Sequence, residues 1–186
     1  MKIKYVAIAL IYLVGCVYLI LPTPVTPDLS NAERSNEPGD TWQHPDQKGF
    51  YTNSNRKTAI SEMQSKYSLV LFGYKIPSYR LNYRPEESFE MVRDQMKTTY
   101  LEEIVYPMRN SLFVNGYEPE NAPAFAELPK DKIPQLFFAD KPYFSKVTLK
   151  PNNSSWAARL LVWTLIFPSA YLIYLSFKKT LRHAQM

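Results

Sequence analysis

One cysteine, two histidines and five glycines in 186 residues leave little room for the common catalytic chemistries. Cys16 sits in an apolar run near the start, so the remainder has no disulfide and no thiol nucleophile to draw on. His44 and His183 lie far apart in sequence, which deprives zinc sites and histidine-based triads of their side chains. The glycines (Gly15, Gly39, Gly49, Gly73 and Gly116) are too scattered for a phosphate-cradling loop or a dinucleotide fingerprint, and no Gly-x-Ser-x-Gly elbow occurs. No metal and no cofactor is expected.

What the chain has in abundance is apolar sequence at its two ends. Tyr5 to Leu21 and Leu160 to Phe177 contain no charged residue. At a rise of about 1.5 Å per residue they reach roughly 25 Å, the short end of what crosses a hydrocarbon core. Trp156 to Ala158 extend the second run outward, with Arg159 reaching for the headgroups. Neither run contains Asp, Glu or His, so ion or proton conduction through them is not expected. Within the second, Pro168 frees the carbonyl of Thr164 and predicts a kink, with the Thr164 hydroxyl as partial compensation.

The formal charge of +5 belongs to the tails. Lys2, Lys4, Lys178, Lys179 and Arg182 flank the apolar runs without any acid beside them. Residues 22–155 hold 16 Lys and Arg against all 17 Asp and Glu, a near-neutral middle. Basic tails next to apolar spans follow the positive-inside pattern, and nucleic acid is not an expected partner. The expected layout is a cytoplasmic tail (1–4), a first transmembrane helix (5–21), an extended proline-rich tether (22–50), an extracytoplasmic domain (51–152), a second transmembrane helix (156–177) and a basic cytoplasmic tail (178–186). That places the chain in a cell membrane of bacterial type, with residues 22–155 outside.

Leu13-Val14-Gly15-Cys16 resembles the lipobox of bacterial lipoprotein signal peptides, which would make Cys16 a lipidation site. The chain stays apolar through Leu21 after that cysteine, which an uncleaved anchor uses and a lipoprotein does not. The anchor is the preferred reading. The overall layout resembles that of bacterial polysaccharide chain-length regulators, but only Pro151 and Pro168 stand where their proline-rich motif would lie. Asn152-Asn153-Ser154-Ser155 offers glycosylation sequons and also serves as a polar hinge.

For the middle, the pattern predicts an α+β domain: one long helix on a small, mostly antiparallel sheet. Thr52–Lys66 reads as a short helix with Ile60 and Met63 inward, and Ser68–Tyr74 as a strand that continues extended to Tyr83. Phe89, Val92, Met96, Tyr100 and Ile104 recur at helical spacing after Pro85 and predict the long helix, Pro85 to Tyr106. Asn115-Gly116 reads as a tight turn, and Ile133–Phe138 with Pro142–Leu149 as paired strands.

Two groups of residues could carry function. Glu86, Glu87, Glu90, Asp94, Glu102 and Glu103 could supply paired carboxylates for glycoside hydrolysis, although a solvated helix face explains them as well. Tyr74, Lys75, Tyr79, Arg80, Tyr83 and Arg84 interleave aromatic faces with cations, a composition suited to a glycan, a lipid headgroup or a protein hot spot. The expectation is a non-enzymatic scaffold or accessory subunit. Its partners would be the bilayer and an envelope protein, or further copies of itself. The alternative is a glycan or headgroup receptor using the tyrosine/basic group.

Overall fold

The computed structural model describes residues 2–92 and 98–184, which divide into two compact units, residues 1–22 with 154–186 and residues 23–153. The first unit is a pair of helices, α1 (Lys2–Ile20) and α4 (Trp156–Ala184). Their pairing is antiparallel: Tyr12 meets Trp163 and Thr164, and Leu19 meets Arg159. Gly15 permits the close approach, because a Cβ there would collide with the Trp163 indole. The Trp163 Nε1–H donates to the Tyr12 carbonyl at 3.1 Å, and Phe167 sets its edge against both aromatic rings.

Large apolar side chains stay uncovered all round both helices, from Ile8, Leu10 and Leu13 to Leu165, Leu172 and Ile173. Apolar surface on every side suits lipid rather than water. By length and composition one helix is fit to cross a membrane, over Trp156–Leu181, while Tyr5–Ile20 is a shorter apolar helix. Pro168 lies inside α4, and the Thr164 hydroxyl is 3.1 Å from the hydroxyl of Tyr12. Arg159, expected to reach outward, is buried and bonded to Ser154 and the Leu19 carbonyl.

The second unit is α+β, built on a six-stranded antiparallel sheet. Its strands are β1 (Ala32–Arg34), β2 (Lys48–Thr52), β5 (Tyr79–Tyr83), β6 (Tyr100–Tyr106), β7 (Asn110–Tyr117) and β10 (Ser145–Asn153). They lie in the order β1-β2-β10-β7-β6-β5. Two hairpins stand apart from it, β3 (Leu69–Leu71) with β4 (Tyr74–Ile76) and β8 (Leu136–Phe138) with β9 (Lys141–Tyr143). Helix α2 (Arg56–Lys66) is capped by the Asn55 side chain and buries Ala59, Ile60 and Met63. In register, Tyr100, Glu102, Ile104, Leu112, Val114 and Leu149 share one face, and Leu101, Phe113 and Tyr83 share the other. Val92 and Met91 pack on that second face. Both faces are thus covered, and polar residues of the central strands are buried along with apolar ones.

Four expectations are corrected. The long helix Pro85–Tyr106 does not form: a short α3 (Ser88–Met91) follows a 3-10 turn at Pro85–Glu87, and Tyr100–Tyr106 is the strand β6. Tyr100, Glu102, Ile104 and Tyr106 fit a two-residue period as well as a helical one, and sheet pairing on both sides decides for the strand. Met96 lies outside the described residues. Residues 22–50, expected as a tether, supply β1 and β2, and β2 runs beside β10 near the middle of the sheet. Asn115-Gly116 is the interior of β7 and not a turn. The strand pair expected at 133–149 is divided: β8 pairs with β9, while β10 pairs with β2 and β7.

Candidate functional site

One end of the sheet is β5, which pairs with β6 on one side and, among the described residues, with no strand on the other. Strand alternation separates the tyrosines and cations that the sequence groups together. Tyr79, Leu81 and Tyr83 share one face of β5, and Arg80 and Asn82 share the other. Tyr74 and Lys75 lie on the separate β3–β4 hairpin, where the Lys75 ammonium donates to the Ser65 carbonyl at 3.2 Å. Arg84 is exposed at the entry to the 3-10 turn that follows.

On the tyrosine face, the Tyr83 hydroxyl donates to Glu103 Oε2 at 2.6 Å. Ser111 donates to the other oxygen of the same buried carboxylate. The bond to Glu103, followed by burial, pushes the Tyr83 pKa up to about 12. Large apolar groups of this strand and of the separate hairpin remain uncovered. Phe72 at the hairpin tip is 88% exposed, Tyr74 80%, Tyr79 63% and Leu81 45%. Phe72 and Gly73 both have positive φ, the geometry that lets a two-residue loop present its side chain outward.

On the opposite face, a cleft of about 530 Å³ lies between the start of α2 and strands β5 and β6. Its organising group is Glu102, buried on β6 beside the edge strand. Arg56 Nε binds Glu102 Oε1 at 2.6 Å, and Arg80 Nε stands 3.2 Å from Oε2. Arg56 also donates through Nη2 to Asn82 Oδ1 and lies over the Tyr100 ring, 5.3 Å from its centroid. Glu118 accepts from the Arg56 backbone N–H at 2.6 Å and from Asn121 Nδ2 at 2.5 Å, placing a carboxylate at the start of the helix. Tyr100 closes the cleft; burial pushes its pKa up, and its hydroxyl has no hydrogen-bond partner among the described residues. With Lys57, the lining carries three cations against two carboxylates.

No known family, curated protein or solved structure matches this chain. The site is therefore read from its own geometry. Among the described residues no group of three or more His, Cys, Asp or Glu could hold a metal ion. Glu102 and Glu103 are neighbours on β6 and so point to opposite faces, and Glu86, Glu87 and Glu90 are exposed. Asp94 lies outside the described residues. Cys16 is a free thiol within α1.

Of the candidate functional residues singled out in the sequence, Arg80 and Glu102 line the cleft. Arg56, Lys57, Glu118 and Asn121 have no local signal: Arg56 and Glu118 are 62 positions apart and meet only through the fold.

Proposed function

We propose that the chain is a membrane-anchored, non-enzymatic accessory subunit of a cell-envelope assembly that docks a protein partner along the outer edge of β5. In this reading both terminal helices enter the plasma membrane, both tails are cytoplasmic, and residues 22–155 stand outside. Uncovered apolar surface around α1 and α4 and the acid-free basic tails support that topology.

The observation that carries the docking is the edge itself. An unpaired strand offers a row of backbone donors and acceptors, and natural proteins usually blunt such an edge or use it. Here the edge strand itself exposes Tyr79 and Leu81, large side chains suited to protein contacts. A photo-crosslinking residue at Leu81, activated in native membranes, is expected to capture a defined partner; the same residue at Asp131 serves as control. Self-adducts would identify a homo-oligomer. Adducts at Leu81 no stronger than those at Asp131 would remove the reading.

A second reading rests on the polar cleft. Arg56 and Arg80 are held in place by Glu102, and Lys57 leaves the lining with a surplus cation, which suits an anionic glycan or lipid headgroup. Retention of the protein's outer domain on vesicles with anionic headgroups, lost in Arg56→Ala/Arg80→Ala, supports it. Equal retention of both forms rejects it.

A further inference from the structure

Lys146 lies on β10, opposite Tyr51 of β2 on one side and Tyr117 of β7 on the other, and only 4% of its side chain is exposed. An ammonium in such a place costs several kcal/mol unless carboxylates compensate for the lost water. Two are present. Asp40 Oδ2 stands 2.9 Å from Lys146 Nζ and is equally buried, and Glu37 Oε2 stands 2.8 Å from the same nitrogen with its side chain 42% exposed.

The seating of Asp40 is specific. It is the last residue of the 3-10 turn Pro38–Asp40, and its carboxylate occupies the space above Gly49, where any Cβ would collide with Asp40 Cγ and Oδ2. Among the described residues nothing donates a hydrogen bond to Asp40 Oδ2 despite its closeness to Nζ, so the approach lacks the alignment of an ordinary ion pair. Glu37 is fixed through both oxygens, by the Tyr51 hydroxyl at 2.7 Å and by Lys146 Nζ at 2.8 Å. Aromatic rings wall the group. Tyr51 stacks on Phe138 with centroids 4.6 Å apart, and Nζ is 5.8 Å from the Tyr51 centroid.

We propose that Lys146 and Asp40 condense into an intramolecular isopeptide bond, with Glu37 as the group that carries the proton. One proton passed from Nζ to Asp40 converts the ion pair into a neutral amine and a neutral acid, the pair the condensation needs. The amine lone pair attacks Asp40 Cγ. Glu37 takes the second proton from Nζ and delivers it to the departing hydroxyl. An N–C bond forms, a C–O bond breaks and one water leaves; no oxidant, metal or cofactor enters the balance. Burial tends to raise the pKa of Glu37, but the bonds from Lys146 and Tyr51 outweigh it and hold the carboxyl below its ordinary value. It is therefore a carboxylate at neutral pH, able to accept that proton, and its exposed side gives water a way out. Holding both reactants in contact removes the entropic cost of bringing them together.

Such a bond would link the segment before β2 to the last strand, β10, tying together the two ends of the 23–153 unit. Peptide mass mapping of the purified full-length chain tests it. The expected result is a branched peptide joining Asp40 to Lys146, one water lighter than its two halves, with neither linear peptide remaining. Lys146→Arg should restore two linear peptides. Glu37→Gln keeps both reactants and should leave the bond mostly unformed. Linear Asp40 and Lys146 peptides at full mass from the unsubstituted chain would overturn the proposal and leave a buried ion pair.

Discussion

Trp163 of α4 occupies the space that Gly15 leaves on α1. Its indole N–H bonds the Tyr12 carbonyl one turn away, and Phe167 packs on it from the next turn of its own helix. Apolar side chains gain little from leaving lipid for one another, so close packing of this kind is what holds such a pair together. Gly15→Leu is expected to part the helices at a cost of about 1–3 kcal/mol, the range for overpacking. With Trp42→Phe and Trp156→Phe making Trp163 the only indole, its fluorescence should change on Gly15→Leu and hold steady on Val6→Leu, which alters an exposed position.

Glu102 is the keystone of the cleft, and its two guanidinium partners are not equivalent. Arg56 bonds Glu102 and Asn82 together and lies over Tyr100, whereas Arg80 contributes one contact at 3.2 Å. Arg56→Ala should therefore cost more than Arg80→Ala, at about 1–2 kcal/mol, since the half-exposed guanidinium already keeps some water. Arg56→Lys should recover less than half, because an ammonium cannot span both acceptors. Thermal unfolding of the three variants orders them.

The Tyr83–Glu103 bond sets a dependence on alkaline pH. Tyr83 has a folded-state pKa near 12 against an ordinary value of 10.0. A proton held more tightly in the folded state stabilises it, fully so below pH 10.0, and that contribution is lost as pH climbs through about 12. Tyr83→Phe should lose stability at neutral pH and show a shallower decline across that window than the unsubstituted chain. A phenolate absorbance titration should show the tyrosine missing from the late-ionising group.

Local sequence carries some of this architecture and hides the rest for identifiable reasons. The apolar ends and α2 are legible because their patterns need no distant partner. Ile60 and Met63 face inward as their spacing predicts. The segment 22–50 is not legible, since its prolines suggest an extended chain but say nothing of Ala32–Arg34 pairing with β2 or of β2 lying beside β10. The helical spacing of Val92, Tyr100 and Ile104 is a coincidence of a chain that crosses from a short helix into a two-sided strand. Buried charge misleads in the same way. Glu102 and Glu103 read as part of a solvated face until neighbours far along the chain cover them, and Glu37 reaches the buried Lys146 across 109 positions. Tyr79 and Arg80 look like one surface in sequence, and the strand turns them to opposite sides.

The topology is tested most directly by labelling single cysteines with a membrane-impermeant thiol reagent in intact cells. Cys16 is the only native cysteine, so Cys16→Ala provides a blank background. Asp131→Cys should label in intact cells, and Lys179→Cys only after the membrane is opened. Labelling of Lys179→Cys in intact cells with Asp131→Cys protected would put residues 22–155 on the cytoplasmic side and contradict the account.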